Sequence, residues 1–97
     1  MISNEEYYNS MLVKYDELKA KVEILEKQIR YAAPRDKLDL YENVARLHEK
    51  KRLVSQMLIE MNTTPDSKWQ RLKLNMELLW SGILKLTSHT ENLLKNY

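Results

Sequence analysis

Residues 64–97 read TPDSKWQRLKLNMELLWSGILKLTSHTENLLKNY. Within this stretch Trp69, Leu72, Met76, Leu79, Ile83, Leu86, Leu93 and Tyr97 recur at alternating steps of three and four, interrupted only by the polar Thr90. Such steps return each side chain to one face of a helix of about 3.6 residues per turn, so the spacing predicts a helix with a single apolar stripe. Trp80, Leu84 and Leu94 widen that stripe on one flank. The apolar face is then broader than the seam of a two-stranded coiled coil, and two neighbouring helices are needed to cover it.

Working back from this helix, Asn62-Thr63-Thr64-Pro65-Asp66 is the clearest break in the chain. Asn62 suits a left-handed closing position, Thr64 can cap, Pro65 fits a first helical turn and Asp66 complements the helix dipole. So short a link makes the helices on either side antiparallel. Folding the chain about it sets Trp69 near Leu58, Trp80 near Leu47, and Gly82 opposite Ala45. Before the link, Leu40, Val44, Leu47, Val54, Leu58 and Met61 form a second stripe, with Lys51 at a seam position where its stem can lie on apolar surface and its amine reach water. At the amino end Ser3 and Glu6 have capping-box spacing, and Tyr8, Met11, Tyr15, Leu18, Val22, Leu25, Ile29 and Ala32 keep a narrow seven-residue repeat with charged residues around it.

Pro34 separates the first two stripes, since it lacks an N–H for the helical ladder and biases Ala33 towards extended backbone. The expected fold is all-α: three amphipathic helices, at about 4–32, 35–62 and 65–96, in an antiparallel bundle or coiled coil forming one domain over 1–97. The alternative is one long helix kinked at Pro34 plus an antiparallel return helix, dimerising to cover the remaining face. Ile29 to Leu40 is an eleven-residue step that keeps phase on a continuous helix, and Tyr31-Ala32-Ala33 offers no Gly or Asn for a left-handed cap. Pro34 as the first residue of a new helix favours the reversal.

A group of residues also carries a resemblance. Trp69-Gln70-Arg71-Leu72-Lys73, with Met76 and Trp80 beyond and Tyr41, Val44, Leu47, Lys51 and Arg52 on the helix before, resembles small uncharacterised bacterial coiled-coil proteins with a Trp-x-x-Leu-Lys helix and a second Trp eleven residues on. The resemblance covers residues 38–86 and implies an all-helical fold without implying an activity. The chain departs from that pattern at Pro34, where the group has unbroken helix, and at Leu74, where it has small residues.

Composition bounds the chemistry. Ninety-seven residues hold one hydrophobic core. With one Gly, two Pro and 31% charged residues, the chain favours helix throughout. No Cys is present, which removes thiolate catalysis and thiolate metal sites. The net charge of +2 comes from interspersed signs, and the Lys50-Lys51-Arg52 group falls short of a nucleic-acid-binding stripe. The antiparallel arrangement keeps His48 and His89 on the order of 15 Å apart, too far to share a metal. No catalytic, cofactor or metal residues are assigned and no small-molecule substrate is evident, so the chain reads as non-enzymatic. Its amino terminus lacks a secretion signal and no apolar run spans a bilayer, which reads as cytoplasmic. The expected role is a helical interaction module, scaffold or adaptor that binds a protein or a second copy of itself. Trp80, Leu84, Leu94, Tyr8 and Tyr15 are its candidate contacts, since aromatic residues are enriched in binding hot spots. Reversible binding to a membrane surface through the amphipathic helices is the alternative.

Overall fold

The computed structural model describes residues 3–95. Tyr97, the last member of the carboxy-terminal stripe, and Asn96, the expected end of the third helix, lie outside them. Helices α1 (Asn4–Ile29), α2 (Pro34–Thr63) and α3 (Trp69–Lys95) follow one another, with one 3-10 turn at Asp66–Lys68 before α3. The described residues fill an envelope of 50 × 19 × 17 Å. Thirty residues of helix are about 45 Å long, so the chain is folded back twice rather than drawn into a bent rod.

Each boundary has a local cause. The Ser3 hydroxyl accepts a hydrogen bond from the Glu6 N–H at 3.1 Å and starts α1. At the first reversal Ala33 is extended (φ −60°, ψ 142°) and Pro34 is the first residue of α2, the position where a missing N–H does no harm. The lack of a left-handed cap proves no obstacle. Arg30 stays right-handed, and Tyr31 and Ala32 donate their N–H groups to the carbonyls of Gln28 (3.1 Å) and Ile29 (3.0 Å), closing α1 with a tight 3-10 turn.

The second reversal departs from expectation in two ways. Asn62 remains helical and no described non-glycine residue has positive φ, so no left-handed residue closes α2. Thr64 seals the end of α2 instead of capping α3: its hydroxyl donates to the Glu60 carbonyl at 2.7 Å, beside the Thr63 hydroxyl at 3.1 Å. These bonds satisfy a carbonyl that the helix end leaves unpaired. α2 runs through Thr63 and the 3-10 turn follows, so the hairpin link is longer than a direct Asn62–Asp66 turn. Gly82 has the Lys50 amine beside it, 3.5 Å from where a Cβ would stand, and not Ala45, which is exposed.

All three helices feed one core. Met11, Leu18, Val22, Leu25 and Ile29 come from α1, Leu40, Val44, Leu47, Val54, Leu58 and Met61 from α2, and Trp69, Met76 and Ile83 from α3. Leu72, Leu79, Trp80, Leu86, Leu93 and Leu94 pack half-buried against it, so α1 and α2 together cover the broad α3 face within one chain. Lys51 is half-buried at its seam position. Leu47→Ala, at a fully buried position, is expected to lower the unfolding free energy by about 2–5 kcal/mol. Leu74→Ala, on the exposed face of α3, is expected to change it by less than about 0.5 kcal/mol. Urea unfolding followed by helical circular dichroism separates the two, and equal losses would place the core elsewhere.

Candidate interaction groove between the first and third helices

The two reversals make α1 and α3 parallel, and these two helices touch over less of their length than either touches α2. Their contacts start at the amino ends. The rings of Tyr8 and Trp69 lie 6.3 Å apart, tilted by 52°, and the Trp69 indole N–H donates to the Thr64 carbonyl at 3.0 Å. The Tyr7 hydroxyl donates to Glu77 Oε1 at 2.7 Å while the Lys73 amine sits 5.3 Å from the Tyr7 ring. Further along, the Lys14 amine lies 6.0 Å from the Trp80 ring. The last link is Lys21 with Glu91 Oε1, at 2.6 Å. That carboxylate oxygen is closed off from water and accepts no well-aligned hydrogen bond, so the ammonium beside it supplies its electrostatic balance.

Around and beyond this pair a groove of about 770 Å³ opens between α1 and α3. Buried Leu25 and Ala32 contribute to its floor, Ala20, Ile24, Tyr31 and Leu94 to its walls, and Glu17, Lys21, Gln28, Glu91 and Lys95 to a rim of both signs. The side chains differ between the two ends of the bundle. Where Met11, Met61 and Trp69 fill the core at one end of the bundle, the α3 core face near the other end carries Thr87 and Thr90, and α1 closes on Ala32. Both threonines are buried with their hydroxyls turned onto their own helix, donating to the carbonyls of Ile83 (2.7 Å) and Leu86 (2.8 Å).

The five candidate contacts are distributed across different environments. Trp80, Tyr8 and Tyr15 are half-buried against the core, with Tyr8 on Trp69 and the Lys19 amine 5.0 Å from the Tyr15 ring. Leu94 lines the groove, and Leu84 is exposed on α3 outside the groove lining. Ile24 and Tyr31 are groove residues that the stripe analysis passes over, because they stand off the core repeat of α1. His48, on the exposed side of α2, pairs with Glu26 of α1 and does not face α3. Among the described residues no group of three or more His, Asp or Glu side chains could hold a metal ion, and no helix is long and apolar enough to cross a membrane. Neither the known protein families nor the curated proteins nor the solved structures contain a match to this chain.

The Tyr7–Glu77 bond ties the closed half of the α1–α3 seam and gives it a pH dependence. Partial burial first, and the Glu77 carboxylate second, push the Tyr7 hydroxyl well above its ordinary pKa of about 10. The neutral phenol is therefore favoured in the folded chain. Its contribution is fully present below pH about 10, where unfolded tyrosine is also neutral, and is lost as pH rises towards the folded value. Tyr7→Phe is expected to cost about 0.5–1.5 kcal/mol at neutral pH, and the gap between variant and wild type should narrow above pH 10. Paired urea titrations at neutral and alkaline pH check this; a gap that widens with pH would assign the opposite sign to the bond.

Proposed function

We propose that this chain is a non-enzymatic helical interaction module, scaffold or adaptor, whose partner-binding surface is the open side between α1 and α3. The observation that carries the reading is the exposure of Ile24 (54%) and Tyr31 (89%) beside half-buried Leu94 along one groove. Covering apolar surface is favourable by roughly 25 cal/mol per Å². Contiguous apolar area with a charged rim is what distinguishes interaction sites from scattered surface leucines. Leu38, Ile59, Leu74 and Leu78 are exposed as well, on α2 and α3, away from the groove.

A groove between two parallel helices accepts one more amphipathic helix, whose apolar face enters between the walls while its polar face meets the rim. Glu17 and Glu91 alternate there with Lys21 and Lys95, a mixed pattern that fixes the orientation of a partner more than it adds affinity. The same rim supports the non-enzymatic reading. It sets carboxylates beside ammonium groups and pairs no activated nucleophile with a base.

The double variant Ile24→Gln/Leu94→Gln is expected to lose at least about tenfold in affinity for a protein that the wild-type chain retains from lysate, titrated after purification. Leu38→Gln/Ile59→Gln is expected to bind it as the wild type does. Equal affinity of the two double variants would remove the groove from the function.

A further inference from the structure

The face of α1 turned away from the core, continued past the helix end by Tyr31, carries a second pattern that shares Glu17, Ala20, Ile24 and Tyr31 with the groove. Val13, Glu17, Ala20, Ile24, Lys27 and Tyr31 are spaced by four, three, four, three and four residues, the a/d spacing of a coiled-coil seam. All six are exposed, with Val13 at 58% alongside the groove residues Ile24 and Tyr31. On α1 the first five fall within a narrow sector, roughly opposite the buried Met11, Leu18, Val22, Leu25 and Ile29, and Tyr31 follows two residues past the helix end in the turn that closes it. The carboxylate of Glu17 and the ammonium of Lys27 form no ion pair with another described residue, in contrast to Asp16 with Lys19 and Lys21 with Glu91.

We propose that this face docks on the same face of a second copy of the chain, antiparallel, about a two-fold axis level with Val22. The inference deepens the self-association arm of the function above by naming the partner and the surface. The stripe is complementary to itself under reversal. Run against itself in the opposite direction, the stripe sets Val13 against the copy's Tyr31, Glu17 against Lys27, and Ala20 against Ile24. Two-fold symmetry makes each pairing twice. Opposite charges meet, and the small Ala20 receives the branched Ile24, so the layers interdigitate. A parallel pairing would set Glu17 on Glu17, Lys27 on Lys27 and Ala20 on Ala20, with repulsion at two layers and a gap at a third. The sequence thus selects against the parallel alternative as well as for the antiparallel one.

Beside the seam, Asp16 and Arg30 of the two copies approach with opposite signs. Like charges approach only at the axis, Lys21 with its copy and Glu23 with its copy. Glu91 balances the first, at 2.6 Å, and both lie at solvated edges where salt screens them. From Val13 to Tyr31 the seam is about 27 Å long. That length belongs to the small end of interface sizes, so the dimer is weak and concentration-dependent.

Sedimentation equilibrium of the full chain from micromolar to millimolar concentration tests the proposal, because all six positions are exposed and charge exchange there leaves the fold intact by circular dichroism. The expected result is a reversible monomer–dimer equilibrium that Glu17→Lys or Lys27→Glu alone weakens by at least about tenfold, since each converts two attractions into two repulsions. Mixing the two single variants should restore association as a heterodimer, and the double variant should restore it as a homodimer. Val13→Cys/Tyr31→Cys should cross-link between chains at 13 to 31 under oxidation. A monomer at every concentration, single variants that associate like the wild type, mixed variants that stay apart, or cross-links joining 13 to 13 would each overturn the proposal. The groove reading is tested separately by Leu94→Gln alone, since Ile24 also stands in the seam: a chain that is monomeric at every concentration yet loses its partner with Leu94→Gln sinks only the dimer, and a dimer and a partner affinity both left unchanged by Leu94→Gln sink only the groove.

Discussion

The rest of the structure depends on the need to cover the apolar face of α3 from two sides. Trp69, Met76 and Ile83 are buried along its centre, and Leu72, Leu79, Trp80, Leu86, Leu93 and Leu94 extend the face to both flanks. A single neighbour leaves one flank wet. The two reversals meet this need with chain connectivity alone: the Thr64–Lys68 link brings α2 onto one flank, and the turn before Pro34 returns α1 to the other. Burial of that face is the main favourable term available to a chain with one glycine, no disulfide and a core limited by its length.

Coverage by α1 is uneven, and the residues at its two ends differ. Near its amino end α1 offers Tyr8 and Met11 to Trp69 and Met61, and the seam closes around aromatic rings, the Tyr7–Glu77 bond and the Lys14–Trp80 contact. Near its carboxy end it offers Ala32, while α3 presents threonines whose hydroxyls bond back to their own helix. The groove between α1 and α3 lies at that end, with Ala20, Ile24, Tyr31 and Leu94 along it. The molecule accordingly has one face of α1 committed to its core, one edge open to the groove, and an outer stripe whose spacing is that of a seam.

How far this could be read from the residues alone follows from which signals are periodic. The three core stripes were legible because apolar spacing repeats over many turns, and Trp69 belonged to the core because it lies on such a stripe. The reversals were legible in place but not in form. Pro34 marked the first, yet its closure uses 3-10 hydrogen bonds from Tyr31 and Ala32, which need no glycine or asparagine and leave no signature. Thr64 has the residue type of a cap for α3 but serves the end of α2, and Gly82 meets the Lys50 amine where the folding-back predicts Ala45. The groove depends on distance between helices that are far apart in sequence, which no local pattern encodes. The outer stripe of α1 was present as spacing, but Glu17, Ala20 and Lys27 interrupt its apolar character, so it passed for an ordinary solvated face.

Coverage of α3 by α1 within a single chain is measured directly by small-angle X-ray scattering extrapolated to infinite dilution, because dilution removes any contribution from a second copy. A folded-back bundle gives a longest dimension near 50 Å. A particle about twice as long, with α1 and α2 continuous through Pro34 and the α3 flank left uncovered, would contradict it.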